Sequence, residues 1–238
     1  GARPNFMKIA PLHAELERRG VAQILLHTGQ HYDKSMSDMF FEQLELPQPS
    51  YNLGICDSSH SDMTGRMMIK LEEIFFSEKI DGVLVFGDTN STLAASLVVS
   101  KIDGLDLIHV EAGLRSYNRK MPEEINRVIT DHLSKLLFCP TGVSVANLKK
   151  EGVVEGVHLV GDVMYDATLS NVPKAPALES VFKQLDFKEE NYVLATIHRA
   201  ENTDDPHKLA EILGYIDEQA EAPVLMPLHP RTKKRIQE

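Results

Sequence analysis

A chain of 238 residues with 42% hydrophobic content carries enough apolar side chain for one large packed domain or two small ones. Its 25 Lys and Arg stand against 35 Asp and Glu, a formal charge of −10 that opposes a broad nucleic-acid surface. The balance still leaves room for a small anion held by a few placed cations and by helix N-termini. No apolar run approaches the roughly 18 residues of a membrane span, and GARPNFMK lacks the apolar stretch of a secretory signal, so a cytoplasmic protein without membrane contact is expected.

In chain order, NFMKIAPLHAELERRG reads as a helix, VAQILLH (21–27) as a strand, and KSMSDMFFEQL and SDMTGRMMIKLEEIFF as helices. GVLVF (82–86) and DLIHV (106–110) read as buried strands flanking the helix STLAASLVVSKI, and PEEINRVITDHL as a helix with Pro122 at its first position. KLLFC (135–139), GVHLV (156–160), YVLATI (192–197) and PVLMP (223–227) are further strand-like runs. Buried strands alternating with helices predict an α/β, doubly wound architecture.

NVPKAPALES (171–180) breaks the alternation and is the linker candidate. It divides residues 1–172, a first domain carrying the carboxylates discussed below, from 173–238, a linker and the start of a second. Residue 1 opens on a turn with no strand to feed it, and Glu238 falls inside a new helix, so the chain is expected to be a fragment. Cys56 and Cys139 are far apart and form no C-x-x-C; they read as small buried hydrophobes, not as a disulfide or zinc site.

Loops leaving the C-terminal ends of parallel strands build the ligand crevice. Gly87-Asp88-Thr89-Asn90 follows one strand, Glu111 to Arg115 the next, and Thr28-Gly29-Gln30-His31, His198-Arg199-Ala200-Glu201-Asn202 and His229-Pro230-Arg231 follow others. Arg3 precedes a helix whose first turns carry Lys8, a placement that suits phosphate. Each group also has a purely structural reading. Asp88 suits a helix cap, Glu123 and Glu124 complement a helix dipole, and His198 suits a satisfied core position; His109, within a strand, reads as structural. Arg115, Arg119 and Arg127 fit either a network neutralising nearby carboxylates or substrate binding.

Jointly, Asp88, Glu111 and Glu123 come from adjacent strand-end loops and are expected to converge beside cations from Arg3, Lys8 and His198. Such a cluster lets one carboxylate hold a proton while another stays ionised, the arrangement that paired acid and base catalysis needs. There is no Walker A sequence, no G-x-G-x-x-G and no H-E-x-x-H, so neither a metal nor a dinucleotide cofactor is expected.

GARPNFMKIAPL, HTGQHYD, GDTNSTLAASL, HVEAGLRSYNRKMPEEINR, CPT, VGDVMYDA, HRAENTDD and PLHPRT, in this order, resemble the non-hydrolysing UDP-N-acetylglucosamine 2-epimerase family. The resemblance implies a GT-B-like fold of two Rossmann-like domains, here without the opening strand and most of the C-terminal, UDP-binding domain. It also implies a homodimer that interconverts UDP-GlcNAc and UDP-ManNAc through a 2-acetamidoglucal, without a cofactor. By motif, Asp88, Glu111, Glu123 and His198 match its catalytic positions, and Arg3, Lys8, Arg115, Arg127 and His229 its UDP-sugar-binding ones. HTGQHYDKSMSDMFFEQLELPQP, SHSDMTGRM and HRAENTDDP look especially like the branch acting on UDP-2,3-diacetamido-2,3-dideoxyglucuronate in O-antigen synthesis. A hydrolysing epimerase, a GT-B glycosyltransferase and an inactive UDP-sugar-binding fragment are the other readings. Gln30-His31-Tyr32-Asp33 replaces the Q-H-R-x stretch of allosterically activated members, which puts allosteric activation in doubt.

Overall fold

The computed structural model describes residues 3–29, 41–56, 58–175, 180, 182–183, 185, 191–228 and 230–237, without the side chains of Arg3, Pro4, Ala200, Pro230 and Arg231. It divides into two units, residues 1–174 and 175–238. In the first, chain order runs α1 (Arg3–Arg18), β1 (Leu26–His27), β2 (Tyr51–Asn52), α2 (His60–Ser77), β3 (Gly82–Phe86), α3 (Asn90–Val99), β4 (Asp106–Val110), α4 (Pro122–Leu133), β5 (Leu136–Cys139), α5 (Gly142–Lys150), β6 (Val157–Leu159) and α6 (Val163–Asn171). Strands β3, β4, β5 and β6 lie side by side in that order, all parallel, and β1 and β2 form a separate parallel pair.

Parallel neighbours need a helix to carry the chain back, and the sequence between these strands supplies it. Helix α2 opens on Ser59, whose hydroxyl accepts the Asp62 N–H at 3.2 Å, and then buries Met67, Leu71 and Phe75, spaced to share one face. These side chains pack with Val85 of β3, Leu107 of β4 and Ala94, Ala95 and Val98 of α3 in the main core. A second core of Ala112, Leu137, Cys139 and Leu148 fills the space under α5. Phe6 of α1 meets Phe41 and Leu46 in a third.

The second unit contains β7 (Val193–Leu194), α7 (Ala200–Thr203), α8 (Pro206–Gln219), β8 (Val224–Leu225) and α9 (Pro230–Gln237), with β7 and β8 paired in parallel. Asp205 caps α8 by accepting the His207 N–H at 2.9 Å, and Pro206 occupies the first turn, where a missing N–H costs nothing.

The expected strands at 82–86 and 106–110 and the helix at 122–133 match residue for residue. Those at 21–27, 192–197 and 223–227 shrink to two residues each, because a ladder extends only where a partner lies alongside: β1 meets β2 over Leu26 and His27 alone. The strand β2 was not anticipated, since Tyr51–Asn52 is too short to show a period. Residues 34–40 of the expected helix KSMSDMFFEQL lie outside the described residues. Among the described residues, no helix is long and apolar enough to cross a membrane.

After β4 the chain turns sharply at Gly113, which has φ +76°. A Cβ there would stand 2.4 Å from the backbone carbonyl oxygen of Ser144, and backbone cannot retreat cheaply. Gly113→Ala combines left-handed strain with that clash and is expected to lose about 2–4 kcal/mol of stability. The loss will show as a lower urea midpoint with an unchanged slope.

Candidate active site

Strands β3 and β4 end level with each other: Phe86 pairs with Val110, and the Gly87 N–H donates to the Val110 carbonyl at 3.2 Å. The residues that follow, Gly87-Asp88 and Glu111, therefore leave the sheet side by side. Gly87 turns with φ +61°, and its missing side chain leaves space where a Cβ would come within 3.2 Å of Glu111 Oε2 and 3.3 Å of Lys8 Nζ. Glu111 itself has φ +74°, a left-handed conformation that costs a non-glycine residue about 1–2 kcal/mol. Its backbone is held there by the Glu111 and Ala112 N–H groups, both donating to the Phe138 carbonyl at 3.1 Å.

These residues open into a cavity of about 250 Å³ lined by Lys8, Gly87, Asp88, Glu111, Leu114 and Arg127. The Lys8 ammonium donates to the Glu111 carboxylate, and the Arg127 guanidinium to that of Asp88. Two carboxylates and two cations thus share one small space as crossed pairs, each side chain mostly withdrawn from water. Each carboxylate has a specific partner, and each cation also faces the cavity. Asn126 fixes the backbone beside them, its amide donating to the Asp88 carbonyl at 2.8 Å.

The structural readings now separate. Thr89, not Asp88, caps α3, its hydroxyl accepting the Thr92 N–H, so the Asp88 side chain is left for Arg127. Arg115 lies outside the cavity lining, 1% exposed, with Nε and Nη2 donating to Glu151 at 2.7 and 2.8 Å and Nη1 to Asp131 at 2.7 Å. Burial works against its charge, but the bonds and charges of Glu151 and Asp131 outweigh it and push the guanidinium above its ordinary range. Of the two readings given to Arg115, this geometry supports the structural network over substrate contact.

His109 is fully buried, as its place in a strand suggests, and Cys139 is buried too, burial and the charge of Asp131 pushing its thiol up to about 11. Cys56 is only half-buried. Glu123 is exposed in the first turn of α4 and does not line the cavity. His198 follows β7 in the second unit, on the exposed side. His229 and the side chain of Arg3 lie outside the described residues.

Glu124, read from the sequence as no more than a dipole partner, is buried and clamps the loop behind the cavity. Its carboxylate accepts the Ser116 N–H and hydroxyl at 2.9 Å each and the Tyr117 N–H at 2.8 Å, and it stands 3.4 Å from Arg127. A signal for it was available: Glu124, Arg127 and Asp131 recur at helical spacing, so whichever faces the interior brings the others along. Asn126 carried no comparable signal.

Fold and side chains together define an α/β protein with parallel sheets and an acid–base cavity at the strand ends, braced by cations suited to a charged ligand. The chain belongs to the UDP-N-acetylglucosamine 2-epimerase family, whose model matches residues 14–238. It is 49% identical over its whole length to a UDP-N-acetylglucosamine 2-epimerase homolog of Methanococcus maripaludis, and 47% identical over 98% of its length to UDP-2,3-diacetamido-2,3-dideoxy-D-glucuronate 2-epimerase of Pseudomonas aeruginosa. The chain spans 66% of the length of each of these relatives. The crystal structure of Methanocaldococcus jannaschii UDP-GlcNAc 2-epimerase in complex with UDP-GlcNAc and UDP matches 99% of this chain at a TM-score of 0.87 and 43% identity, the chain covering 66% of that one. The likeness shows the GT-B-like α/β fold class expected from the motifs.

Burial alone would raise the Glu124 carboxyl, but the bonds from Ser116 and Tyr117 and the charge of Arg127 together hold it below its ordinary 4.5. A carboxyl lowered in the folded state contributes stability above its unfolded value, and that contribution is lost as pH falls through the folded one. Glu124→Gln is therefore expected to lower the melting temperature at neutral pH and to make the decline below about pH 4.5 shallower. Thermal melts of wild type and variant from pH 7 to pH 3 check both signs.

Proposed function

We propose that the full-length protein carrying this chain is a nucleotide-sugar C2 epimerase that interconverts UDP-GlcNAc and UDP-ManNAc by eliminating and re-adding UDP. The observation that carries the reading is the cavity at the ends of β3 and β4, where Asp88 and Glu111 stand against Arg127 and Lys8 in a chain of this family. A carboxylate removes the C2 proton, and the electron pair left behind forms the C1–C2 double bond of a 2-acetamidoglucal. The C1–O bond breaks, and UDP departs with its bonding pair. In the return step a diphosphate oxygen attacks C1, and a proton is delivered to the opposite face of C2. Atoms and electrons balance without an oxidant, a reductant or a cofactor.

Two proton-handling groups suit this sequence, since the proton leaves one face and returns to the other. Asp88 and Glu111 take those roles here, and Lys8 and Arg127 offset the charge that develops on the diphosphate. The family resemblance adds Glu123 and His198 as further acid–base candidates, and Arg3 and His229 as groups for UDP. It also supports a cytoplasmic homodimer serving cell-surface polysaccharide synthesis. Sedimentation of the full-length protein checks the dimer.

The decisive experiment incubates the full-length protein with UDP-GlcNAc in D₂O, with UDP-2,3-diacetamido-2,3-dideoxyglucuronate, the substrate named for the Pseudomonas relative, as comparison. UDP-ManNAc carrying deuterium at C2 is expected. Release of free ManNAc would mean a hydrolysing enzyme, and no deuterium in any UDP-sugar would sink the proposal. Glu111→Gln keeps the shape of the group but cannot accept a proton, and is expected to lower kcat by about 10²–10⁴-fold. Its KM for the nucleotide sugar will move far less, because the diphosphate contacts remain.

A further inference from the structure

Neither His109 nor Asp131 lines the cavity, yet each holds one of the two loops that build it. The His109 ring, 1% exposed, has Nδ1 2.7 Å from Asp131 Oδ1 and Nε2 2.8 Å from the carbonyl oxygen of Gly87, the residue before Asp88. A carbonyl oxygen can only accept, so Nε2 donates to Gly87, while Nδ1 lies against the Asp131 carboxylate. The other oxygen of Asp131 accepts the N–H of Gly113, two residues after Glu111, at 3.1 Å, and Arg115 Nη1 at 2.7 Å.

Resting on the reaction proposed above, we propose that the His109–Asp131 pair is a positioning device that sets the placement of Asp88 relative to Glu111. His109 acts on Asp88 through the Gly87 carbonyl, and Asp131 acts on Glu111 through the Gly113 N–H. Two features favour this over mutual satisfaction of buried polar groups. Burying an ionic group where an apolar pair would fit is costly, so a fully buried cluster is weak evidence of stability alone. Apart from the bond to Arg115, its remaining bonds also go to main-chain atoms of the two loops whose separation the reaction needs fixed. Misplacement by about 1 Å is enough to cost on the order of 10²-fold in rate.

The two arms of the histidine can be cut separately. In His109→Asn the amide nitrogen falls near the site of Nδ1, which keeps the donor to Asp131 and releases Gly87. In His109→Gln it falls near Nε2, which keeps the donor to Gly87 and leaves Asp131 one donor short. The expected result is a crossed order: Asn is the more thermally stable variant but loses about 10²-fold in kcat per folded molecule with little change in KM, while Gln is less stable and keeps the higher kcat.

Amide hydrogen exchange on the substrate-free full-length variants supplies a readout without turnover. Exchange should rise over residues 87–90 in the Asn variant and stay low there in the Gln variant. If either variant fails to fold, Asp131→Asn replaces it and should release residues 111–114 first. A kcat that follows stability in the same order, unchanged kcat in both variants, or exchange that rises equally in both loops overturns the inference. If wild-type protein moves no deuterium to C2, the epimerase reading fails, and the exchange pattern still decides whether the tether exists.

Discussion

A carboxylate shut away from water must find donors or give up its charge, and Asp131 is such a carboxylate, 1% exposed in the middle of the first unit. It finds them in His109 from β4, the Gly113 N–H from the following loop and Arg115 further along. Each donor then brings a requirement of its own. Arg115 has more N–H groups than Asp131 can accept; the Leu114 carbonyl takes one, and Glu151, just beyond α5, accepts from Nε and Nη2 and also stands 3.1 Å from His132. The Arg115 bonds and charge hold the Glu151 carboxyl below its ordinary range against its partial burial. Removing one partner from such a cluster leaves an uncompensated buried charge, a loss of about 3–5 kcal/mol, so β4, α4 and the end of α5 are fixed in one arrangement.

On this base the cavity can afford strain. Glu111 sits left-handed although it is no glycine, which requires surroundings that over-determine it. The Phe138 carbonyl receives its N–H and that of Ala112, Gly113 is tied to Asp131, and Lys8 holds the side chain. An unpaired Asp88 and Glu111 brought to one cavity would repel each other and resist folding. Crossed pairing with Arg127 and Lys8 removes that repulsion, so the site assembles before any ligand arrives. The scaffold therefore bears the cost of a pre-formed site.

The parts that were legible share a physical reason. GVLVF and DLIHV pair with each other along their full five residues in a parallel sheet, so each continuous apolar run and its paired strand have the same limits. VAQILLH, YVLATI and PVLMP are as apolar, but their ladders are set by a partner's position, which hydropathy does not encode. Among the cavity residues, Asp88, Glu111 and Lys8 could be nominated because parallel sheets place function at strand ends and a helix start attracts phosphate, whereas Arg127 stayed open between a network neutralising carboxylates and substrate binding. Glu123 and Glu124 could not be ranked by composition: successive residues on a helix point about 100° apart, and only one of them can face inward. The structure turns Glu124 in, against Ser116 and Tyr117, and leaves Glu123 outside. The role of Asp131 was equally hidden, since TDHL reads as an ordinary helix end until the strand behind it is in place.

The overall charge of −10 does not decide the fate of a ligand bearing a diphosphate, because the relevant balance is local. At physiological ionic strength, fields from exposed carboxylates are screened beyond about 8 Å, whereas groups lining a recessed cavity act almost unscreened. Within that cavity Lys8 and Arg127 match Glu111 and Asp88 charge for charge, so an entering diphosphate meets no net repulsion and competes with the carboxylates for the same two cations. In the proposed elimination, negative charge on the departing diphosphate grows as the C1–O bond breaks, so its hold on Lys8 and Arg127 strengthens along the reaction coordinate. Stabilisation that grows in this way lowers the barrier, and does not merely tighten binding of the starting sugar nucleotide. The same transfer of cations releases Asp88 and Glu111 from their partners at the stage when proton exchange at C2 calls on them. A cavity with bare cations would bind UDP more tightly but would lack this coupling between departure of the diphosphate and proton transfer.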